Sequence, residues 1–166
     1  RVAMISHARL IEMLRYEPKT GHFYWRISPS PSACAGGRAG CLHHSGYRQI
    51  RIDRQGYLEH RLAWFFVYKV WPDQIDHRDV NKANNAISNL REATYSQNRA
   101  NRPAQRNNKL GLKGVHRSPS GRYRAIIYPN RDGAGVHLGL FDTPEEAHAA
   151  YAAKATELFG EFARAC

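Results

Sequence analysis

Between Gln74 and Asn98 the chain reads QIDHRDVNKANNAISNLREATYSQN, with an Asp-His pair at 76–77, an asparagine at 89 and another at 98. Asp76 offers a hard anionic oxygen, and the carboxamide oxygen of Asn98 is a second hard donor. Together they suit one magnesium-like ion rather than a soft metal. An unperturbed histidine titrates near neutrality, so His77 can take a proton from water at working pH. A hard cation beside an imidazole base is equipment for hydrolysing a phosphodiester, and the segment points to that chemistry.

The flanking residues predict how these groups are held. Gln74–His77 and Leu90–Ala93 read as two short strands. The loop over 78–88 is rich in groups that bond their own backbone: Asp79, Asn81, Asn84 and Asn85. Thr94-x-x-Gln97 is a capping box, which starts a helix and puts Asn98 just inside it. The spacing aims a strand-end Asp-His pair and an early-helix asparagine at one point. Asn89 is expected to support the loop rather than touch metal, His60 to be structural, and Asn84 and Asn85 to satisfy the loop.

Upstream, 7–15 predicts a short amphipathic helix. YEPKTGHFYW predicts a hairpin turning at Pro18-Lys19-Thr20-Gly21. The Ser, Pro, Gly and Ala of 28–46 suggest an exposed connector, and Gly46–Asp53 alternates as a strand that turns at 54–56. His60–Val70 predicts a buried helix stopped by Pro72. The aromatics Trp25, Trp64, Tyr68 and Trp71 are expected in the core. Downstream, 101–112 reads as a basic linker or arm. Lys113–His116, Arg122–Pro129 and Gly135–Phe141 predict three strands, and Thr143-Pro144-Glu145-Glu146 starts a closing helix. Alternation puts Tyr123, Ala125, Ile127, Val136, Leu138 and Leu140 inward. Lys113, His116, Arg122, Arg124, Ile126, Tyr128 and His137 fall outward. The fold class is α+β.

The formal charge is +11, unevenly spread. Residues 93–131 carry nine Lys/Arg and no acid, whereas 132–166 carry two against six. A basic belt of this kind favours a polyanionic partner, since clustered cations gain free energy by releasing counterions from nucleic acid. Arg99, Arg102, Arg106 and Lys109 are the candidates for phosphate contact, with Arg78, Lys82 and Arg91 near the reacting centre. Arg122, Arg124 and His137 are candidates for base edges in the major groove. No apolar run is long enough to span a bilayer, and the start, RVAMISHARL, lacks the apolar core of a secretion signal. Three cysteines make no disulfide framework, so a cytoplasmic setting is expected. Cys34, Cys41, His43 and His44 match no standard zinc spacing, and structural zinc is not expected.

The stretches YEPKTGHFYWR, GYRQIRI…HRLAWFFVY and IDH…NN…SNLREAT…QN resemble the HNH homing endonucleases of phages and bacteria, whose core is the ββα-metal fold. Residues 111–163, with GLKGV and HLGLFDTPEEA, look like the DNA-binding domain of plant Apetala/ethylene-response factors. The resemblance implies an HNH nuclease domain over 1–101, a basic linker over 102–110 and an Apetala-type domain over 111–166. It implies that His77 is the general base and that Asp76 and Asn98 bind one Mg²⁺, with Mn²⁺ able to substitute. Asn89 would fasten the loop so that His77 is oriented. Cleavage would leave a 5′-phosphate and a 3′-hydroxyl. The partner is double-stranded DNA, with no membrane or small-molecule substrate, in a bacterial or phage-infected cytoplasm. Val80 stands where the family commonly has glycine. If that glycine needs a positive φ, a β-branched valine there is costly and the loop here must run differently. The rival readings are a DNA-binding regulator with an inert core and an HNH restriction endonuclease.

Overall fold

The computed structural model describes residues 4–31, 33–105 and 107–164. The chain divides into two compact units, Arg1–Glu92 and Ala93–Cys166, so the helix carrying Asn98 groups with the second. Both units are mixtures of helix and antiparallel sheet, an α+β architecture.

In the first unit, α1 (His7–Met13) is capped by Ser6, whose side chain accepts from the Arg9 amide. It passes into β1 (Leu14–Glu17) with no intervening loop, since Leu14 is already extended. β1 pairs with β2 (His22–Trp25), and Gly21 lies in the turn between them at φ 75°. The segment expected to be an exposed connector is mostly exposed, and it is also tied by backbone bonds to β2. The Ala39 amide donates to the Phe23 carbonyl at 2.8 Å, Ala39 is fully buried, and Cys41–Leu42 forms β3. Its small residues permit this: a side chain at Gly40 would meet the Gln49 carbonyl oxygen at 2.7 Å.

β3 pairs with β4 (Arg48–Ile52), which pairs with β5 (Gln55–Leu58). The reversal falls at Asp53 and Arg54, both at positive φ, one step earlier than the expected 54–56 turn. α2 (Glu59–Tyr68) follows directly and stops where Lys69 turns left-handed at φ 61°, before Pro72 is reached. Leu10, Leu14, Phe23, Ile50, Ile52, Leu62 and Ala63 are buried in one core, with Trp25 at its edge. Trp64 and Trp71 pack against that core, while Tyr68 is half exposed. The last hairpin of this unit is β6 (Ile75–His77) with β7 (Leu90–Glu92), which sets Asp76 opposite Arg91 and His77 opposite Leu90.

In the second unit, Thr94 and Gln97 form the capping box of α3 (Tyr95–Asn101). β8 (Val115–Arg117), β9 (Tyr123–Ile127) and β10 (Val136–Phe141) make an antiparallel sheet in the order β10-β9-β8. α4 (Pro144–Phe159) packs on it, with a second capping box at Thr143 and Glu146. Gly114, at φ 75°, lets the chain lie against the Tyr151 ring, which a side chain there would strike at 2.0 Å. Simple alternation fails in β10. A bulge between His137 and Gly139 shifts the register, so Phe141 joins the core and Leu140 faces out. Val136 is also exposed, although its partner Ile127 is buried.

Candidate active site

β6 and β7 present their chemistry from the centre of a two-stranded ribbon. Asp76 and Arg91 face each other across it, and both are buried. Nε and Nη2 of Arg91 reach the same Asp76 oxygen, Oδ2, at 2.9 and 2.8 Å. Arg91 is therefore the cationic partner of the Asp76 carboxylate rather than an exposed contact for phosphate. Such a pair fixes the direction of the carboxylate, because the planar guanidinium leaves it little freedom to rotate.

His77 ends β6 and is also buried. Its Nε2 lies 3.0 Å from Oδ1 of Asn85, and Nδ2 of Asn85 donates to Oε2 of Glu59 at 3.0 Å. Glu59, fully buried at the start of α2, pairs with Nε of Arg48 at 2.8 Å. Tyr16 Oη donates to the Asn85 backbone carbonyl at 2.7 Å, and a side chain on Gly21 would collide with the Asn85 and Ala86 backbone. The first hairpin thus backs directly onto the loop. Burial pushes the His77 imidazole below its ordinary pKa, against the Asn85 bond and the charges of Asp79 and Asp76. It is therefore neutral, with a lone pair on one nitrogen, at working pH. His60 packs edge-on to His77 with ring centroids 5.1 Å apart. Burial holds His60 down at about 3, and its Nδ1 has no hydrogen-bond partner among the described residues.

Asn89 binds the loop itself. Its Oδ1 accepts from the Asp79 amide at 3.1 Å, and its Nδ2 donates to Asp79 Oδ1 at 2.9 Å and to the Asn84 carbonyl at 2.8 Å. Asp79 also accepts from the Asn81 amide and from Nδ2 of Asn84. The loop is closed by the Val80 amide, which donates to the His77 carbonyl at 2.9 Å. Val80 itself sits at φ 65°, so the chain adopts the glycine-like conformation with a β-branched residue and carries the strain. Asn85 and Glu59 are what sequence reasoning missed. The adjacent Asn84 and Asn85 look alike in sequence, yet Asn84 is at the surface of the loop and Asn85 is buried beneath it.

The remaining candidates are scattered. Arg78 and Lys82 are exposed near the loop, Lys82 lying over the Tyr47 ring at 4.7 Å and donating to the Ser45 carbonyl. In the second unit Asn98 stands on α3 and Arg99 lies over the Tyr128 ring at 5.2 Å, while Arg102 and Lys109 are exposed. Arg106 lies outside the described residues. Lys113 is not on the outer face of the sheet. Its ammonium is partly buried and donates to the carbonyls of Ala100, Arg102 and Arg164. His116 and Arg124 are cross-strand neighbours on the face away from α4, and His137 pairs with Ile126 on that face. Arg122 is tied to Asp142 at 2.8 Å and to the Leu140 carbonyl. Cys34 and Cys41 are exposed thiols. Among the described residues no three His, Cys, Asp or Glu side chains cluster to hold a metal, and no helix is long and apolar enough to cross a membrane.

Residues 57–100 match the HNH endonuclease family model. An uncharacterised HNH endonuclease of Acanthamoeba polyphaga mimivirus is 40% identical over 89 residues, which are 54% of this chain and 44% of that protein. The chain thus spans less than half the length of this curated relative. The solved structure of the HNH homing endonuclease I-HmuI, described as binding and cleaving DNA, matches over 82% of this chain and 75% of its own. The identity is 20% and the TM-score 0.40, a likeness too slight to carry residue roles across. Asp76, His77, Asn89 and Asn98 all lie within the residues that match the HNH endonuclease family model.

Proposed function

We propose that the protein is a metal-dependent DNA endonuclease in which His77 is the general base. The observation that carries this reading is the buried His77 beside a carboxylate whose direction is fixed, at the end of one two-stranded ribbon. The residues fit a hard divalent ion. Magnesium is bound through one or two protein oxygens, with water and substrate phosphates completing its shell. Asp76, whose carboxylate is oriented by Arg91, offers an oxygen of that kind. Asp76 would hold the ion, and Asn98 enters as the second ligand on the strength of the sequence motif. When bound, such an ion neutralises charge on the phosphate and on the leaving 3′-oxygen.

The chain's own groups do the rest. His77 takes a proton from the attacking water. Arg91 fixes the carboxylate beside it, and Asn89 with Asp79 holds the loop closed. The belt over 93–131 binds double-stranded DNA through its phosphates. The exposed sheet face with His116, Arg124 and His137 docks the second unit, in the manner its Apetala-type resemblance implies. A linked reader of this sort raises the concentration of a small nuclease core at one target.

The test is nicking of supercoiled plasmid with Mg²⁺ or Mn²⁺, comparing wild type with His77→Ala and with wild type in EDTA. Wild type should nick, and both controls should lose at least about 100-fold in rate. Nicking that survives the substitution would remove His77 as the base. DNA binding without nicking by wild type would point to a regulator with an inert core.

A further inference from the structure

The bulge in β10 composes a row of side chains on the outer face of the second unit's sheet. Gly139, at φ 142°, sits where the register slips. Beyond the slip Leu140 pairs with Arg124, and Arg124 pairs with His116 on its other side. Register partners point to one face of a sheet, and the opposite face of these strands carries Val115 and Ala125 into the core. The row His116, Arg124, Leu140 therefore stands away from α4, and Leu140 is 41% exposed. The Arg124 guanidinium makes no ion pair or hydrogen bond among the described residues, whereas Arg122 is tied to Asp142 and to the Leu140 carbonyl.

A lone exposed leucine is ordinary on a protein surface. Leu140 differs in its setting, beside an uncommitted arginine in a unit whose residues 93–131 carry nine Lys/Arg and no acid. A cation and an alkyl group side by side match two neighbouring features of the DNA major groove. Guanine presents O6 and N7 to an arginine, and thymine presents its 5-methyl to an apolar contact. Ile126, further along β9, is less suited, since it closes with the Tyr128 ring over Gly135.

We propose that Leu140 is a specificity-determining residue that packs on a thymine methyl close to a guanine read by Arg124. This rests on the reading of the outer sheet face as the surface that docks on double-stranded DNA. Opposed Cβ atoms lie about 5 Å apart and successive bases rise about 3.4 Å, so the thymine falls within two base pairs of that guanine. The methyl is displayed in the major groove and not in the minor one, which fixes the groove that the sheet enters.

The experiment measures affinity of the full chain in EDTA for a duplex selected from a randomised pool. Each thymine is replaced singly by deoxyuridine, which lacks the 5-methyl, and each guanine by 7-deazaguanine, which lacks N7. Wild type is compared with Leu140→Ser, Leu140→Met and Arg124→Gln. Wild type should lose about 4-fold at one deoxyuridine, the worth of a single methyl-sized group taken out of water. That position should lie within two base pairs of a guanine whose N7 matters to wild type and not to Arg124→Gln. Leu140→Ser should bind the thymine and deoxyuridine duplexes alike, while Leu140→Met, still apolar, should keep the difference. A wild type indifferent to every deoxyuridine, which needs no variant to observe, overturns the proposal, as does a difference that Leu140→Ser retains. In either case, a 7-deazaguanine effect lost in Arg124→Gln leaves the docking surface standing. If neither Arg124→Gln nor Leu140→Ser changes affinity or base preference, the docking reading falls with the proposal.

Discussion

Val80 offers a direct test of the loop that carries the site. Its φ of 65° places a β-branched side chain in the left-handed region, which costs an L-residue roughly 1–2 kcal/mol. Glycine removes that strain but adds roughly 0.5–1 kcal/mol of chain freedom to the unfolded state. Val80 is only half-buried, so little packing is lost. Val80→Gly should therefore stabilise the first unit by about 1 kcal/mol or slightly less, a rise in Tm of about 4–8 °C for a unit of this size. Val80→Pro is the opposing probe. It forces φ to about −65° and deletes the amide that donates to the His77 carbonyl, which should cost about 3 kcal/mol or more. All three tryptophans, Trp25, Trp64 and Trp71, lie in the first unit, so urea melts followed by tryptophan emission report on it selectively. Nicking should persist in the glycine variant. A Val80→Gly protein destabilised by about 1 kcal/mol, with Val80→Pro tolerated, would show that the loop is not left-handed at this residue.

Three other outcomes follow from the same geometry. His60 is neutral in the fold down to about pH 3 but protonates at 6.5 once unfolded. Its stability contribution is therefore complete above pH 6.5 and shrinks as pH falls, by about 2 kcal/mol at pH 5. The lowered His77 acts in the same direction, so a wild-type stability curve flat from pH 7 to 5 would contradict both burials. Arg91→Met removes the cation facing the buried Asp76 carboxylate and should cost about 3–5 kcal/mol, whereas Asp76→Leu with Arg91→Met should recover much of it. A single-substitution cost below about 1 kcal/mol would mean the pair is not formed in solution. If about six phosphates are neutralised by the basic belt, log K for DNA should fall with a slope near −5 against log salt. A flat response would remove the belt from binding.

Local rules made much of the architecture legible. The capping boxes at Thr94 and Thr143 and the turn before Gly21 are contacts between near neighbours, and each was readable from a few residues. What escaped depends on distant partners. Residues 28–46 look like a loop by composition, but Ala39 and Gly40 are small because β2 and β4 lie against them. The bulge in β10 turns Leu140 outward against the alternation, a shift that only the pairing with β9 reveals. In the site, the Asp-His pair and Asn89 were visible through their spacing. Asn85 was not, because its role comes from Glu59, 26 residues away, and from Arg48 beyond it.

The loop's support comes largely from outside the stretch that matches the HNH family. Tyr16, Gly21 and Arg48 all precede residue 57, yet they brace the Asn85 backbone and anchor the buried file that ends on His77. A graft of residues 57–100 onto another scaffold would carry the reactive side chains without the wall that holds them. Portability of the HNH-matching stretch is therefore set by the N-terminal hairpin and β4, and a minimal folded fragment has to begin well upstream of it.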